Sequence, residues 1–225
     1  MTATRVHGVM DAEQYDQLIR SIVPCQPALL STIVDYLPPD SRNVLELGCG
    51  TGILTGMVRE ACPDAVITGI DLSPEMLTMT SVKPGLRGVR FIAQDLRDPW
   101  PAERYDAIIT SLCLHHILPE ERVVVARRAA RALVPGGRFI CGDIFGAEHG
   151  WEEQVLREIW ARGMRREGAP EEVIMGMIAQ REKHMPTFTT VSWFRDMLAG
   201  SGFARAMVPF TSGFVGLVVG FSPED

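Results

Sequence analysis

The sequence lacks the features that mark several large classes of protein. Of its 225 residues, 22 are basic and 28 are acidic, and this deficit of positive charge disfavours binding of nucleic acid or anionic lipid by bulk electrostatics. No stretch approaches the ~18 apolar residues of a membrane span, and the N-terminus lacks the apolar core of a signal peptide. We therefore expect a cytoplasmic protein with no membrane segment.

Cysteine is sparse and irregularly placed. The chain has five cysteines, an odd number without any C-x-x-C pair: Cys25, Cys49, Cys62, Cys113 and Cys141. This spacing excludes a disulfide framework and the usual zinc sites. Histidines and carboxylates also show none of the spacings that bind metals, so we expect no metal centre.

Short apolar runs alternate with helical patterns through the middle of the chain. Such runs are typical of strands buried on both faces, and they cover residues 43–47, 66–70, 89–93, 105–111 and 138–142. A helix predicted over 120–134 separates the last two strands. This alternation predicts an α/β fold with a parallel sheet, right-handed crossovers and helices on both faces.

The C-terminal part departs from this alternation. After a predicted helix over 191–199, two strand patterns over 204–209 and 214–219 are separated by only four residues. So short a link joins only antiparallel neighbours, which predicts a hairpin at one edge of the sheet. The sheet should thus be mostly parallel with one antiparallel edge pair.

Two helical segments lie outside the alternation, within what we expect to be a single domain over residues 1–225. Residues 1–40 form a predicted N-terminal helical cap, and residues 148–186 a helical lid inserted between the fifth strand and the closing helix and hairpin. Extra helices at the carboxyl ends of strands are where α/β proteins commonly build lids and substrate pockets.

A glycine-rich loop follows the first predicted strand. Its pattern is G-x-G-x-G at Gly48, Gly50 and Gly52, preceded by Glu46. Glycines between a strand and a helix let the backbone turn sharply and bring helix amides to a ligand. A dinucleotide loop would need a glycine at Ile53, and a Walker loop would need Gly-Lys-Ser/Thr, so both are disfavoured.

Acidic residues end the next two strands. Asp71 lies about one strand–helix unit after the glycine loop, and Asp95 lies one unit further on. The first carboxylate can accept both hydroxyls of a ribose, and the second can accept an exocyclic adenine amine. Because the carboxyl ends of parallel strands share one edge of the sheet, these residues predict a nucleoside site there.

These motifs resemble those of the class I S-adenosylmethionine-dependent methyltransferases. The similarity runs from about Tyr15 to the C-terminus and comprises, in order, segments 44–52, 69–76, 93–96, 106–111 with the following Leu-His-His, and 133–138. The resemblance implies a Rossmann-like seven-stranded sheet of order 3-2-1-4-5-7-6 with strand 7 antiparallel. It also implies S-adenosyl-L-methionine as cofactor and S-adenosyl-L-homocysteine as product.

By the same resemblance, particular residues would hold the cofactor. The glycine loop would approach its methionine part, Asp71 would hold the ribose, and Ser111 would present backbone near the sulfonium. The adenine would be flanked by two apolar residues and recognised at its edge by the residues after the third strand. The implied cofactor residues are Glu46, Gly48, Cys49, Gly50, Gly52, Asp71, Leu72, Met76, Asp95, Leu96 and Ser111.

Candidates for catalysis follow from the chemistry of methyl transfer. Displacement at a sulfonium depends chiefly on positioning, so a general base is optional. His115 and His116 after the fourth strand, and Tyr15 in the cap, are the candidate catalytic residues. The alternatives are a packed histidine pair and an aromatic side chain that covers the core.

The lid supplies the candidate substrate contacts Trp151, Met175 and Arg181, of which the two apolar side chains could form part of an adaptable wall around an acceptor. The alternatives are that the two apolar side chains pack the lid onto the sheet and that Arg181 is solvated. A solvated helix face is also expected for four arginines before the fifth strand: Arg122, Arg127, Arg128 and Arg131.

The sequence thus predicts a metal-independent methyltransferase that acts on a small molecule under a helical lid. One alternative is a tRNA enzyme or a carboxy-S-adenosylmethionine-forming enzyme, because residues 15–24 resemble a subgroup containing both, and Arg181 would then bind a carboxylate. The acidic balance disfavours tRNA. The other alternative is a nucleoside-binding interaction partner without catalysis. A homodimer is also open, because dimers are common in the family.

Overall fold

The chain folds around one seven-stranded sheet. The computed structural model describes residues 12–224, so the first eleven residues of the predicted cap lie outside the described part. The strands are β1 (Asn43–Leu47), β2 (Val66–Asp71), β3 (Arg90–Ala93), β4 (Tyr105–Ser111), β5 (Leu133–Ile144), β6 (Arg205–Ser212) and β7 (Val215–Phe221). The helices are α1 (Ala12–Ile22), α2 (Gln26–Asp35), α3 (Ile53–Ala61), α4 (Pro74–Ser81), α5 (Pro119–Ala132), α6 (Gly150–Arg166), α7 (Glu171–His184) and α8 (Val191–Ala199).

The strand order is β3-β2-β1-β4-β5-β7-β6, as the resemblance implied. Strands β1 to β5 pair in parallel, whereas β7 runs antiparallel to both β5 and β6. The parallel register brings the ends of β1, β2, β4 and β5 to one edge. Every candidate that ends or follows one of these strands is therefore presented at that edge.

Alternation along the strands separates two cores. Leu45 and Leu47 of β1 face one core, which packs against Val125 of α5 and Phe194 of α8. Val44 faces the other core, which is covered by α2 and α3 and also by buried side chains of α6 and α7. The helices of the predicted lid, α6 and α7, thus belong to the same face of the sheet as the N-terminal helices.

Element ends differ from the predictions where tertiary pairing extends or shortens them. Helix α5 ends before Leu133, whose extended backbone pairs with Tyr105 and so begins β5 earlier than predicted. Strands β6 and β7 continue to the pair Ser212–Val215, which leaves a two-residue hairpin connection. There Gly213 has a φ of 60°, a left-handed conformation that favours glycine.

The expectation of a solvated arginine face on α5 is wrong for two of its four members. Arg122 is only 3% exposed and donates hydrogen bonds to carbonyls of residues 114, 117 and 187. Arg128 reaches across to the β3–β4 connection, where its guanidinium donates to three carbonyls of residues 96–98 and lies 5.3 Å from the Trp100 ring. Periodicity alone places these residues outward, but their long side chains fold back onto backbone carbonyls of neighbouring segments.

A buried ion pair joins α6 and α7, the two helices of the predicted lid. Arg181 of α7 is 4% exposed, so a solvated position for it is also wrong. Its guanidinium donates to both carboxylate oxygens of Glu153 on α6 and to the carbonyl of Phe145. The rings of Phe188 and Phe214 lie over the same guanidinium. One cation therefore joins α6 and α7 to the residue that follows β5 and the residue that precedes β7.

Removing one partner of this pair should destabilise the protein more than removing a surface pair. We expect Arg181→Met to lower the free energy of unfolding by about 3–5 kcal/mol, because it leaves Glu153 buried without a counter-charge. Urea unfolding measures the loss, and the double variant Arg181→Met/Glu153→Leu should recover much of it. The control is Arg165→Met, which breaks the exposed pair with Glu171 and should change little. Equal losses for the two single variants would contradict the assignment.

Candidate functional site

The glycine loop adopts a backbone that only glycine accommodates easily. Gly48, Gly50 and Gly52 have φ angles of 72°, 50° and 77°. A Cβ on Gly48 would collide with the Sγ of Cys113, and one on Gly52 would lie 2.6 Å from the Thr80 side chain. At Gly50 a Cβ would meet open space, so the loop presents bare backbone outward there. This is the arrangement that lets a ligand come close to the main chain.

The carboxylate of Asp71 links this loop to the end of β2. Its Oδ2 accepts from the amide of Gly50 at 2.8 Å, and its Oδ1 accepts from the amide of Ser73 at 2.9 Å. Each carboxylate oxygen keeps further acceptor capacity beyond the bond it makes here. A half-buried carboxylate with free acceptor capacity beside exposed backbone fits the diol of a ribose.

Glu46 lies beneath the loop rather than beside it. It is buried on the α3 face of β1, where its Oε2 accepts from the hydroxyl of Thr55 at 2.5 Å. Burial, with a smaller contribution from the charge of Asp71, raises the pKa of Glu46 to about 8. The carboxyl is therefore largely protonated at neutral pH, and its cofactor contact stays a prediction.

The first helix covers the loop from above. The hydroxyl of Thr51 donates to Asp16 of α1 at 2.6 Å, and Lys83 donates to the carbonyl of Thr51 at 2.6 Å. Tyr15 is half-buried beside these groups. Burial raises its pKa to about 12, with further increases from the charges of Asp71 and Asp16. The phenol therefore stays neutral, and suits donation of a hydrogen bond better than removal of a proton.

A histidine–aspartate pair joins the ends of β4 and β5. The Nδ1 of His115 lies 2.5 Å from Oδ1 of Asp143, and the His115 amide donates to Oδ2 of Asp143 at 2.9 Å. Asp143 is fully buried, and although burial opposes its ionisation, His115, the amide of Ile144 and Arg122 together hold its pKa below the usual value. An ionised Asp143 can only accept, so whenever the imidazole of His115 is neutral its Nδ1 carries the proton and its Nε2 is the acceptor nitrogen.

The other histidine is placed differently. The ring of His116 lies 3.9 Å from that of His115, centroid to centroid, and the residue is exposed. Sequence reasoning selected both histidines but missed Asp143. The signal was available, because Asp143 is an acidic residue near the carboxyl end of a strand, the same feature that selected Asp71 and Asp95.

The adenine side of the predicted site has one apolar residue open to solvent. Leu72 is 67% exposed directly after β2, whereas Met76 on α4 is buried. Asp95 holds the side chain of Arg97, with Nη2 at 2.6 Å from Oδ2, and this contact lowers the pKa of Asp95. An adenine amine that donates to Asp95 would share this carboxylate with the guanidinium of Arg97. Leu96, with its half-buried side chain, accepts from the indole of Trp100 through its carbonyl.

The remaining predicted residues are more scattered. Ser111 ends β4 at the shared edge and is half-buried. Trp151 is 71% exposed and Met175 is 57% exposed, so neither packs the lid onto the sheet. Their contact with a substrate stays a prediction, as does that of the paired Arg181.

The five cysteines are all free thiols. Cys49 and Cys113 lie near the glycine loop, and burial, with neighbouring carboxylates, raises the pKa of both. Neither thiol is suited to act as a nucleophile. Between residues 12 and 224, no three His, Cys, Asp or Glu side chains are grouped so that they could hold a metal ion. No helix in that range combines the length and apolar character needed to cross a membrane.

The buried carboxyl of Glu46 predicts a pH-dependent stability. Between about pH 4.5 and 8 the native carboxyl keeps a proton that the unfolded chain has released, so rising pH favours the unfolded state. We expect Glu46→Gln, which cannot ionise, to gain stability relative to the unmodified chain as pH rises from about 5 to 8. Urea unfolding at several pH values measures this difference. The exposed Glu60→Gln serves as control, and a difference independent of pH for Glu46→Gln would contradict the assignment.

Known proteins are similar in sequence to parts of this chain. Residues 44–137 match a family described as a methyltransferase domain. The chain is similar to demethylmenaquinone methyltransferase of Thermus thermophilus, with 27% identity over 81% of this chain and 83% of that protein. It is also similar to malonyl-[acyl-carrier protein] O-methyltransferase of Acetivibrio thermocellus, with 30% identity over 48% of this chain and 38% of the relative. The second match spans well under half of the relative's length.

Solved structures share the fold over nearly the whole length. A DhpI–SAH complex matches with a TM-score of 0.66 and 18% identity, covering 95% of this chain and 92% of that one. The N-methyltransferase NodS from Bradyrhizobium japonicum WM9, in complex with S-adenosyl-L-homocysteine, matches with a TM-score of 0.62 and 15% identity over 98% and 97% of the two chains. Residues 44–137 thus match a methyltransferase-domain family, and the chain as a whole shares the seven-stranded fold of these two S-adenosylhomocysteine-bound structures.

Proposed function

We propose that this protein transfers a methyl group from S-adenosylmethionine to a small-molecule acceptor by in-line displacement. The observation that carries the proposal is the joining of Gly50 and Asp71, which combines exposed backbone with a carboxylate at the edge where β1 and β2 end. That combination suits a nucleoside joined to an amino acid. We further infer that the cap, sheet and lid act as one domain in the cytoplasm, in keeping with five free cysteines.

The cofactor residues follow from the site. Asp71 would hold the ribose, the backbone at Gly48 and Gly50 would face the methionine part, and the exposed Leu72 would cover the adenine. When bound, the cofactor supplies an electrophilic methyl group on a sulfonium. The chain's own contribution is to hold the acceptor in line and to exclude water, which can account for about 7–11 kcal/mol of the barrier.

We propose His115 as the group that takes a proton from the acceptor. Its Nδ1 is bonded to Asp143, which leaves Nε2 to accept and stabilises the imidazolium that forms. The neutral phenol of Tyr15 would instead orient the cofactor or acceptor by donating a hydrogen bond. Such a base suits an acceptor with a removable proton, such as a phenol, an amine or a thiol.

The acceptor's class is inferred from relatives and from the lid. Relatives are named for demethylmenaquinone, trans-aconitate and malonyl-[acyl-carrier protein], so acceptors in this family differ widely. In the lid of this chain, Arg181 is committed to Glu153 and to the carbonyl of Phe145. That commitment, together with the acidic net charge, favours a small-molecule acceptor and unmodified S-adenosylmethionine over tRNA or a carboxylated cofactor.

Loss of the Asp71 carboxylate should abolish tight cofactor binding. Two charge-assisted hydrogen bonds to the ribose contribute about 1.5–3 kcal/mol each, so Asp71→Ala should weaken S-adenosylhomocysteine binding by about 100-fold or more. Isothermal titration calorimetry measures this, with transfer of labelled methyl groups to a panel of acceptors as the second measurement. Glu60→Ala removes an exposed carboxylate of α3 and should bind normally. Unchanged affinity in Asp71→Ala would contradict the ribose assignment.

The two histidines should differ in their effect on turnover. We expect His115→Gln to lower kcat by about 100-fold or more for an acceptor that must lose a proton, because general-base catalysis contributes on this scale. His116→Gln should change kcat far less, since His116 is exposed and the Asp143 carboxylate is bonded to the ring and amide of His115 and to the amide of Ile144. Steady-state kinetics at saturating cofactor separates them. A larger loss in His116→Gln would reverse the assignment.

A further inference from the structure

Arg122 holds the turn that carries both histidines. From α5, its Nε donates to the carbonyls of Leu114 at 3.0 Å and Ile117 at 3.1 Å, and its Nη2 donates to Ile117 at 2.9 Å. Leu114–His116 is a single helical turn that begins three residues after the end of β4. Its carbonyls are therefore tied to one buried guanidinium and not only to neighbouring backbone.

The same guanidinium reaches the segment that ends the lid. Its Nη2 donates to the carbonyl of Thr187 at 3.0 Å, and its Nη1 donates to the hydroxyl of Thr189 at 2.9 Å. Between these residues, the Phe188 ring stacks on His115 at a centroid distance of 6.4 Å and also covers the guanidinium of Arg181. Arg122 thus holds the residues on both sides of Phe188, whose ring lies between His115 and the guanidinium of Arg181.

From these contacts we infer that Arg122 is a positioning residue, which orients the His115–Asp143 pair and couples it to the lid. The inference rests on the proposed function, because it gives His115 the role of proton acceptor. Asp143 holds His115 at its amide and at Nδ1, while Arg122 holds the carbonyl side of the same turn. The direction of Nε2 is then determined from both sides.

Chemistry explains why an arginine stands here. Five N–H donors in a rigid plane can serve the histidine turn and residues 187–189 at once, whereas a lysine offers one compact point charge. Burying a cation costs free energy of desolvation, so an apolar side chain would stabilise the fold better if this buried position only had to be filled. An acceptor that moves residues 187–189 on entering beneath the lid would also move the histidine turn, because both are bonded to one rigid group.

The same helix offers a matched control. Arg128 also folds back onto backbone and donates to three carbonyls, but those belong to residues 96–98 in the β3–β4 connection. Substitution of either arginine removes a cation and several hydrogen bonds to carbonyls. Only substitution of Arg122 removes contacts to the histidine turn.

The first test needs no substrate. The short Nδ1–H bond to Asp143 should give a downfield proton NMR signal at low temperature, assigned by its loss in His115→Gln. We expect Arg122→Met to shift or broaden this signal and Arg122→Lys to change it less, while Arg128→Met leaves it unchanged. If Arg122→Met does not fold, Arg122→Lys decides, and an unchanged signal in it would overturn the inference. An unchanged signal in a folded Arg122→Met would do the same.

The second test uses turnover. We expect Arg122→Met to lower kcat by about 10-fold to 100-fold, a scale typical of a misplaced catalytic group, while the Kd for S-adenosylhomocysteine changes less than about twofold. Arg122→Lys should recover part of kcat. Arg128 contacts the predicted adenine side through the Leu96 carbonyl, so Arg128→Met is compared at saturating cofactor, where it should retain kcat. Equal losses of kcat in the Arg122 and Arg128 variants would overturn the inference. If the unmodified chain transfers no methyl group, the proposed function fails, and the NMR signal alone still tests the positioning role.

Discussion

The hydrogen bond from the Gly50 amide to the Asp71 carboxylate ties the ends of two neighbouring strands into one binding edge. It forms only because the loop runs through three left-handed glycines, which aim that amide across to β2. The loop is held in place from several directions: by the carbonyl of Ile70 at its start, by the Thr80 hydroxyl on the Gly50 carbonyl, and by Lys83 on Thr51. A loop held this rigidly loses little conformational entropy when a ligand binds.

Buried cations organise the other half of the crevice. Arg122 and Arg181 each lie in the interior, and each joins an element of the sheet region to a segment of the lid. Arg181 has a buried carboxylate partner, whereas Arg122 is surrounded chiefly by backbone carbonyls, with the charge of Asp143 nearby. The lid is therefore connected to the strand ends by directional hydrogen bonds and not by apolar packing alone, which gives it defined positions relative to the chemistry.

Carboxylates with different environments meet near the same edge. Burial raises the pKa of Glu46. The pKa of Asp143 is lowered by its partners, although this carboxyl is buried too. Glu46 is thus a neutral carboxyl under the glycine loop. Asp143 is an ionised carboxylate that favours a proton on Nδ1 of His115. Environment, and not residue type, separates the two roles.

Local patterns in the sequence were enough to predict the parallel strands, the C-terminal hairpin and the glycine loop, because these depend on short-range periodicity and on backbone conformations that few residues adopt. Asp71 could be found for the same reason, from its position at a strand end. The interior positions of Arg122 and Arg181 could not, since helical periodicity records where a Cα lies and not where a long side chain finds its partners. Likewise, only the tertiary structure decided that His115 faces Asp143, 28 positions along the chain, because that contact depends on the register between β4 and β5.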